Sequence, residues 1–248
     1  MKLALVGYGK MGREVEEAAK ANNAEIVAII DPTEPSATAT EITAESLKDA
    51  DVVVDFTTTE AVKDNVQKIA AAGKNMIVGT TGWYDNVDEI KAIVEQHDIG
   101  FLYSSNFSVG VNAFFKIVEA AAKVFNKLDM YDVFGYELYH NQKADSPSGT
   151  AKSMETLLLD NIQRKTKIAE EKLDRKIEPD ELHFASVRAG SIPGTHIAGF
   201  DSEADTIELK HTARNRKGFA TGAVLTAQWL ADKKGFFTMD DFVKDFFA

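Results

Sequence analysis

The sequence predicts an α/β protein in two parts: an N-terminal domain on a parallel sheet with helices on both faces, and a C-terminal α+β domain with a mixed or antiparallel sheet. Three observations carry this. Through roughly the first hundred residues, short β-branched runs alternate with longer amphipathic stretches, which is the rhythm of βαβ units. Those runs are almost continuous in Val and Ile and polar only at their ends, as in Asp51 to Asp55, so both faces of each strand are expected to be covered. From Tyr131 onward strands dominate, and Thr206-Ile207-Glu208-Leu209-Lys210 alternates as a strand with one wet face does.

In chain order, "KLALV" is the first strand and "GREVEEAAKAN" the helix that follows it; "EIVAII" and "DVVVDF" are the next two strands. "EAVKDNVQKIAAA" and "VDEIKAIVEQH" carry apolar residues at helical spacing, and they flank the strand "NMIVG" and precede the strand "IGFLYS". The rhythm breaks between Asn106 and Asn112, where the helix "AFFKIVEAAAKVFNK" opens the second part. There "DVFGYELYH", "LHFASVRAG", "GTHIAGFD" and "DTIELKHTAR" read as strands, with one helix after Pro147 and an acidic-basic connector through residue 180. The last stretch, "GFATGAVLTAQWLADKKGFFTMDDFV", returns to helix and is expected to pack back on the first domain, its Met and Phe residues serving as packing groups. This assigns residues 1–109, completed by 216–248, to one domain and residues 110–215 to a second.

Composition narrows the function. The 248 residues are 44% hydrophobic and 27% charged, as in an ordinary globular protein, and the formal charge of −11 comes with no basic cluster, so no nucleic-acid partner is expected. No apolar run approaches membrane-spanning length, and no secretory leader is read at "MKLALVGYGK". The absence of cysteine removes thiolate chemistry and suits a reducing cytoplasm. The five histidines, His97, His140, His183, His196 and His211, have no metal-ligand spacing, so no metal is expected.

"KLALVGYGKMGREVEEAAK" sets Gly7, Gly9 and Gly12 in the GxGxxG spacing after a strand and before a helix. Gly7 permits the tight turn, Gly9 leaves room for a pyrophosphate, Gly12 lets helix and strand approach, and the helix-start amides around Tyr8, Lys10 and Met11 face the phosphate charge. This is the Rossmann-like fingerprint of an NAD(P) site. Asp31 closes the second strand, where a carboxylate can accept from the ribose hydroxyls; the competing structural reading makes it a strand-end turn former. Asp31 favours NADH, and no cation follows it in Pro32-Thr33-Glu34, although Lys10 and Arg13 could admit NADPH. Gly79, Thr80 and Thr81 after the fourth strand, and Ser104, Ser105, Asn106 and Phe107 after the fifth, are expected to line the nicotinamide end.

"ELYHNQKADSPSGTAK", Glu137 to Lys152, places Tyr139, His140 and Lys143 ahead of a Ser148-Gly149-Thr150 turn that begins a helix. Lys143, with His140 when protonated, supplies fixed positive charge, and the helix-start amides with the Thr150 hydroxyl can hold a carboxylate. The competing reading makes Ser148 a helix cap and Tyr139 and His140 strand residues facing opposite sides. For Arg188 and "GSIPGTH" the favoured reading is turn formation, with Arg188 or His196 near a substrate left open.

"VGYGKMGR", "GTTG", "NFSVGVN", "HNQKADSPSGTAK" and "RAGSIPGTH", in this order and along the whole chain, resemble the 4-hydroxy-tetrahydrodipicolinate (dihydrodipicolinate) reductase family. The resemblance implies that residues 1–109, completed by 216–248, form a dinucleotide-binding domain and residues 110–215 a substrate-binding and oligomerisation domain. It implies hydride transfer from NADH or NADPH to a small cyclic unsaturated dicarboxylate, in lysine biosynthesis through diaminopimelate, by a cytoplasmic homotetramer. It implies proton donation by the first of two adjacent histidines or by the lysine, and substrate binding at the second histidine and the Pro-Ser-Gly-Thr turn. Glu137, His140, Lys143, Asp145, Pro147, Ser148, Gly149 and Thr150 match the pattern, and Tyr139 departs from it at the first histidine. Three donors therefore stand open, Tyr139, His140 and Lys143. The departure also motivates an alternative of another class, an NADH-binding paralogue with weakened catalysis that acts as a sensor or scaffold.

Overall fold

The computed structural model describes residues 1–247; Ala248, the last residue of the first expected domain, lies outside the described residues. By compactness the chain divides into two units, one formed by 1–109 with the segment from Arg216 onward, the other by Gly110–Asn215.

The first unit holds β1 (Lys2–Val6), α1 (Lys10–Ala21), β2 (Glu25–Ile30), β3 (Val52–Asp55), α2 (Val62–Ala71), β4 (Asn75–Val78), α3 (Val87–His97) and β5 (Gly100–Tyr103). With β11 (Gly235–Thr238) from the end of the chain, its six strands run parallel in the order β11-β5-β4-β3-β1-β2, and one buried apolar cluster lies on each face. Val6, Asp55, Val78 and Tyr103 are successive cross-strand partners, so the loops after β1, β3, β4 and β5 leave the sheet at one level. The chain crosses from one side of β1 to the other between β2 and β3, which makes the carboxyl edge of β1 and β3 the place where a doubly wound sheet opens a crevice.

The second unit consists of α4 (Val109–Phe125), β6 (Asp132–Tyr139), α5 (Gly149–Asn161), β7 (Lys167–Ala169), β8 (Glu181–Arg188), β9 (Thr195–Asp201) and β10 (Thr206–Thr212). Its sheet, in the order β10-β9-β6-β8-β7, is mixed: β6 and β7 run parallel to β8, and β9 runs antiparallel to β6 and β10. Val118, Ala122, Met154, Leu158, Leu182, Phe184, Ala198 and Phe200 form the buried layer between sheet and helices.

Two expectations are corrected. The connector before residue 180 is not strand-free, because β7 forms there by pairing Ile168 with Leu182. The last segment is not only helical: α6 (Lys217–Leu230) is followed by β11 (Gly235–Thr238), which extends the parallel sheet beside β5, and then by α7 (Met239–Phe246). Phe236 stacks on Phe101 with ring centroids 5.0 Å apart, and that contact fixes the added strand to the sheet. Phe242 is buried as a packing residue, whereas Phe246 and Phe247 are exposed.

Candidate functional site

The turn after β1 is built around Gly7, whose φ of +84° is left-handed and whose missing Cβ would stand 2.5 Å from the Phe56 carbonyl oxygen. A Cβ on Gly12 would meet the Gly7 carbonyl at 2.4 Å, so α1 approaches the turn closely, while the space beside Gly9 is open. Gly9 caps α1 without any side-chain acceptor, which leaves the helix-start amides to an outside anion. A cavity of about 570 Å³ opens here, lined by Gly9 to Met11, Phe56 to Glu60 and Gly79 to Thr81.

The loop after β3 is the part of this cavity that sequence reasoning overlooked. Its signal was "DFTTTE", small polar residues just beyond a strand's carboxyl end. Asp55 is fully buried at the strand end and accepts from Thr57 N at 2.9 Å, Thr57 Oγ1 at 2.7 Å and Asn65 Nδ2 at 2.9 Å. Burial pushes its carboxyl above the ordinary value against those hydrogen bonds. Thr59 Oγ1 donates to the Thr81 carbonyl at 2.8 Å, and Trp83 Nε1 donates to that of Thr80 at 2.7 Å. The β3 and β4 loops are thereby tied into one wall.

Other expected cofactor residues fall elsewhere. Tyr8 is buried and its amide donates to Asp31 at 2.8 Å. Ser104 Oγ accepts from Asn106 N at 2.9 Å, and Asn106 Oδ1 accepts from Ser108 N at 2.9 Å, so these side chains shape their own turn. Ser105 is exposed beside them. The Phe107 ring is buried and meets Phe56, which lines the cavity, edge-on with centroids 6.1 Å apart, so its side chain packs behind the cavity wall.

In the second unit, β6 ends at Tyr139, and the turn through His140 is closed by Lys143 N donating to the His140 carbonyl at 3.2 Å. Ser148 caps α5 by accepting from Ala151 N at 3.1 Å, so the helix begins at Gly149 and Thr150 beside that turn. Lys143 Nζ lies 2.7 and 2.9 Å from the two Asp145 carboxylate oxygens and 4.8 Å from the centre of the Tyr139 ring. Tyr139 is half-buried, and burial raises its phenol above the ordinary value even with Lys143 near. The Tyr139 and His140 ring centroids are 6.3 Å apart.

The residues left as turn formers turn out to be the frame of this cluster. Glu137 is fully buried and its Oε1 accepts from Ser148 N at 3.1 Å, Ser186 Oγ at 2.9 Å and Arg188 Nη2 at 2.6 Å. The same Arg188 nitrogen donates to the Asp145 carbonyl at 2.7 Å. His196 Nε2 sits 3.2 Å from Ser148 Oγ and 3.4 Å from Glu137 Oε2, and its ring meets that of Tyr139 at 5.5 Å. Burial alone would push the Glu137 carboxyl up, but the contacts with His196, Ser148, Arg188 and Ser186 hold it well below the carboxylate range. One buried anion therefore joins β6, β8, β9 and the start of α5.

The glycine turn with its uncapped helix start, and the Lys143 cluster ahead of α5, lie in two stretches that each have counterparts among known proteins. Residues 1–107 match the family model described as "Dihydrodipicolinate reductase, N-terminus", and residues 110–243 match "Dihydrodipicolinate reductase, C-terminus". The chain belongs to the dihydrodipicolinate reductase family. Members of this family are NAD(P)H-dependent oxidoreductases, and the chain is an enzyme of that kind. The 4-hydroxy-tetrahydrodipicolinate reductase of Christiangramia forsetii is 38% identical over all of this chain and 99% of its own length. That of Archaeoglobus fulgidus is 38% identical over 98% of this chain and all of its own. A dipicolinate-bound dihydrodipicolinate reductase from Paenisporosarcina sp. TG-14 has a similar fold, with a TM-score of 0.78 and 24% identity over 96% of this chain and 97% of its own. An amine dehydrogenase from Mycobacterium smegmatis shares the fold more loosely, with a TM-score of 0.65 and 12% identity over 97% of this chain and 95% of its own. The C-terminal family model continues past Arg216 because α6, β11 and α7 are late in the family sequence yet belong to the first compact unit.

One carboxyl of α5 stands outside this chemistry. Glu155 is 4% exposed with no hydrogen-bond partner at Oε1, and burial, aided by the Glu170 and Glu137 charges and opposed by Lys152, raises its pKa to about 7. A folded-state value above the unfolded one means the native protein keeps this proton while the unfolded chain releases it, so Glu155 costs stability progressively as pH rises from about 4.5 to about 7. Glu155→Gln is therefore expected to melt above wild type at pH near 8, with the difference shrinking toward pH near 5 in paired calorimetric scans. A constant offset across that range would contradict the assignment.

Proposed function

We propose that this chain reduces 4-hydroxy-tetrahydrodipicolinate, or its dehydrated form dihydrodipicolinate, to tetrahydrodipicolinate, in lysine biosynthesis through diaminopimelate. The observation that carries the reading is Lys143 beside the Ser148-capped start of α5, in a chain whose two halves both match the family. A nicotinamide nucleotide fits the first unit: Gly9 leaves open space at a helix start without a side-chain cap, and the cavity beside it is large enough for part of such a ligand. When bound, the nucleotide supplies the hydride. NADH is the proposed donor and NADPH the second choice, since Asp31 and Glu34 put two carboxylates on the ribose edge of the glycine turn.

In the second unit, the helix start at Ser148, Gly149 and Thr150 holds one substrate carboxylate, and Lys143 with His140 takes the other, Lys143 exchanging Asp145 for it. Dipicolinate bound to the Paenisporosarcina relative supports a small cyclic dicarboxylate as the ligand class. The reduced ring must then collect a proton. Tyr139 is proposed to give it, since its phenol stays protonated through the neutral range, and the Lys143 ammonium over the ring stabilises the phenolate left behind. His140 remains the substrate-carboxylate contact.

The family pattern further supports a homotetramer in the cytoplasm, and the second unit exposes Ile117, Val124 and Met130, apolar groups an assembly could cover. No described helix is long and apolar enough to cross a membrane. The sensor or scaffold reading has no support from the matches, which are to enzymes along the whole chain.

The test is direct. With substrate generated in place by a coupled synthase, NADH absorbance is expected to fall in proportion to enzyme added. Absence of turnover in a preparation that still binds NADH would refute the reading.

A further inference from the structure

Asp31 is occupied by its own chain: Oδ2 accepts from Tyr8 N at 2.8 Å, and Oδ1 accepts from Thr33 N at 2.8 Å, Thr33 Oγ1 at 2.9 Å and Glu34 N at 3.1 Å. The carboxylate that the glycine fingerprint assigns to the ribose is thus also the clasp between the glycine turn and the turn after β2. Three residues on, Glu34 is equally engaged. Its Oε1 accepts from Ser36 Oγ at 2.6 Å and Ser36 N at 3.3 Å, and its Oε2 pairs with Arg13 Nη2 at 2.5 Å. Arg13 in turn lies over the Tyr8 ring, its guanidinium carbon 4.5 Å from the centroid. The Ser36 hydrogen bonds, with the Arg13 charge, lower the Glu34 carboxyl below its ordinary value, so Glu34 is ionised across the neutral range.

A 2′-phosphate brings nearly two negative charges and is matched best by a planar, forked cation such as a guanidinium. Arg13 extends from the first turn of α1, beside the Tyr8 ring and the turn that carries Asp31, and would be that cation if it were released. Paired to Glu34 it presents no net charge, and Asp31 adds an uncompensated negative charge beside it.

We propose that Glu34 is a specificity-determining residue that sets the preference for NADH by holding Arg13 in an ion pair, so that the cation able to receive a 2′-phosphate is withheld. The inference rests on the reading of the glycine turn as a nucleotide site. Lys10 also lies near that turn, and the Glu16 carboxylate accepts from the Tyr8 hydroxyl; the Glu34 carboxylate is shared between Arg13 and Ser36, so its ion pair can be opened while the Ser36 turn contacts are kept.

The experiment compares full-length wild type, Glu34→Gln, Arg13→Gln and the double variant, using NADH and NADPH themselves, in fluorescence titrations and in kcat/KM. Opening the ion pair removes one repelling charge and frees one attracting one, so Glu34→Gln is expected to raise the NADPH-to-NADH ratio about tenfold. The double variant is expected to return to within about twofold of wild type, because the gain needs the freed guanidinium. Arg13→Gln alone is expected to move the ratio by less than about twofold, since a cation already paired gives a phosphate little. Glu34→Ala repeats the test if the amide side chain disturbs the turn, and circular dichroism checks the fold of each variant. A ratio unchanged in both Glu34 variants, or a gain that survives loss of Arg13, overturns the inference while leaving the nucleotide site intact. Failure of wild type to bind either nucleotide overturns the site and the inference with it.

Discussion

Lys143→Ala is expected to lower kcat/KM about a thousandfold while leaving the affinity for NADH unchanged. The ammonium has two roles to lose. It is a cation held at the turn before α5 by Asp145, and without it the Asp145 carboxylate loses its ion pair where a dianionic substrate must bind. It also lies over the Tyr139 ring, so its removal leaves a phenol that burial has already made a weaker acid, with the more distant Arg188 guanidinium, 5.4 Å from the ring centre, as the cation still over it. The two losses separate in companion variants. Tyr139→Phe keeps substrate charge pairing and deletes the proton, so kcat falls with little change in KM. Tyr139→His restores an imidazole that titrates near neutrality and is expected to raise the rate of the chemical step measured in a single turnover. A rate in Tyr139→Phe equal to wild type would exclude Tyr139 and leave Lys143 or His140 as donor. Retention of more than about a tenth of kcat/KM in Lys143→Ala would remove the lysine from both roles.

How much of this was legible in the sequence depended on whether the deciding interaction was local. The parallel sheet could be read because runs such as Val52 to Val54 record burial on both faces within the strand itself. β11 could not, since "GFFT" becomes a strand only by pairing with β5, a partner far away in sequence. β7 is three residues in a charged stretch and exists because β8 offers it an edge. The same division runs through the site. The glycine turn announces itself because its geometry is fixed by three glycines in six residues, whereas Thr57 and Thr59 gain meaning only from Asp55 beneath them and Thr81 across from them. The capping role of Ser148 is local and was legible. Its bond to the imidazole of His196 was not, because the partner arrives from β9.

Glu137 is the extreme case of a residue whose role is written by distant partners, and it carries the largest expected effect on stability. Glu137→Ala is expected to destabilise the protein by about 3–5 kcal/mol, because Arg188 keeps its charge in a buried setting with no carboxylate to compensate it, and Ser148 N and Ser186 Oγ lose their acceptor. Glu137→Gln retains an amide oxygen for Ser148 N but not the charge, so a smaller loss of about 1–3 kcal/mol is expected. The pH dependence has a defined sign. The folded carboxyl titrates far below its unfolded value of 4.5, so the stability it contributes is full above that value and drains away as pH falls through it toward the folded value. Denaturant melts of wild type should therefore weaken steeply below about pH 4.5, and those of Glu137→Gln less so, which makes the gap between the two proteins narrow in acid. Equal midpoints for wild type and Glu137→Ala at neutral pH would show that the frame of β6, β8, β9 and α5 is held by apolar packing alone. The frame also aims Ser148. A wild-type fold in Glu137→Gln that binds substrate weakly but NADH normally would assign Glu137 to positioning the helix start, because a purely stabilising residue would leave the Michaelis constant for the acid where it was.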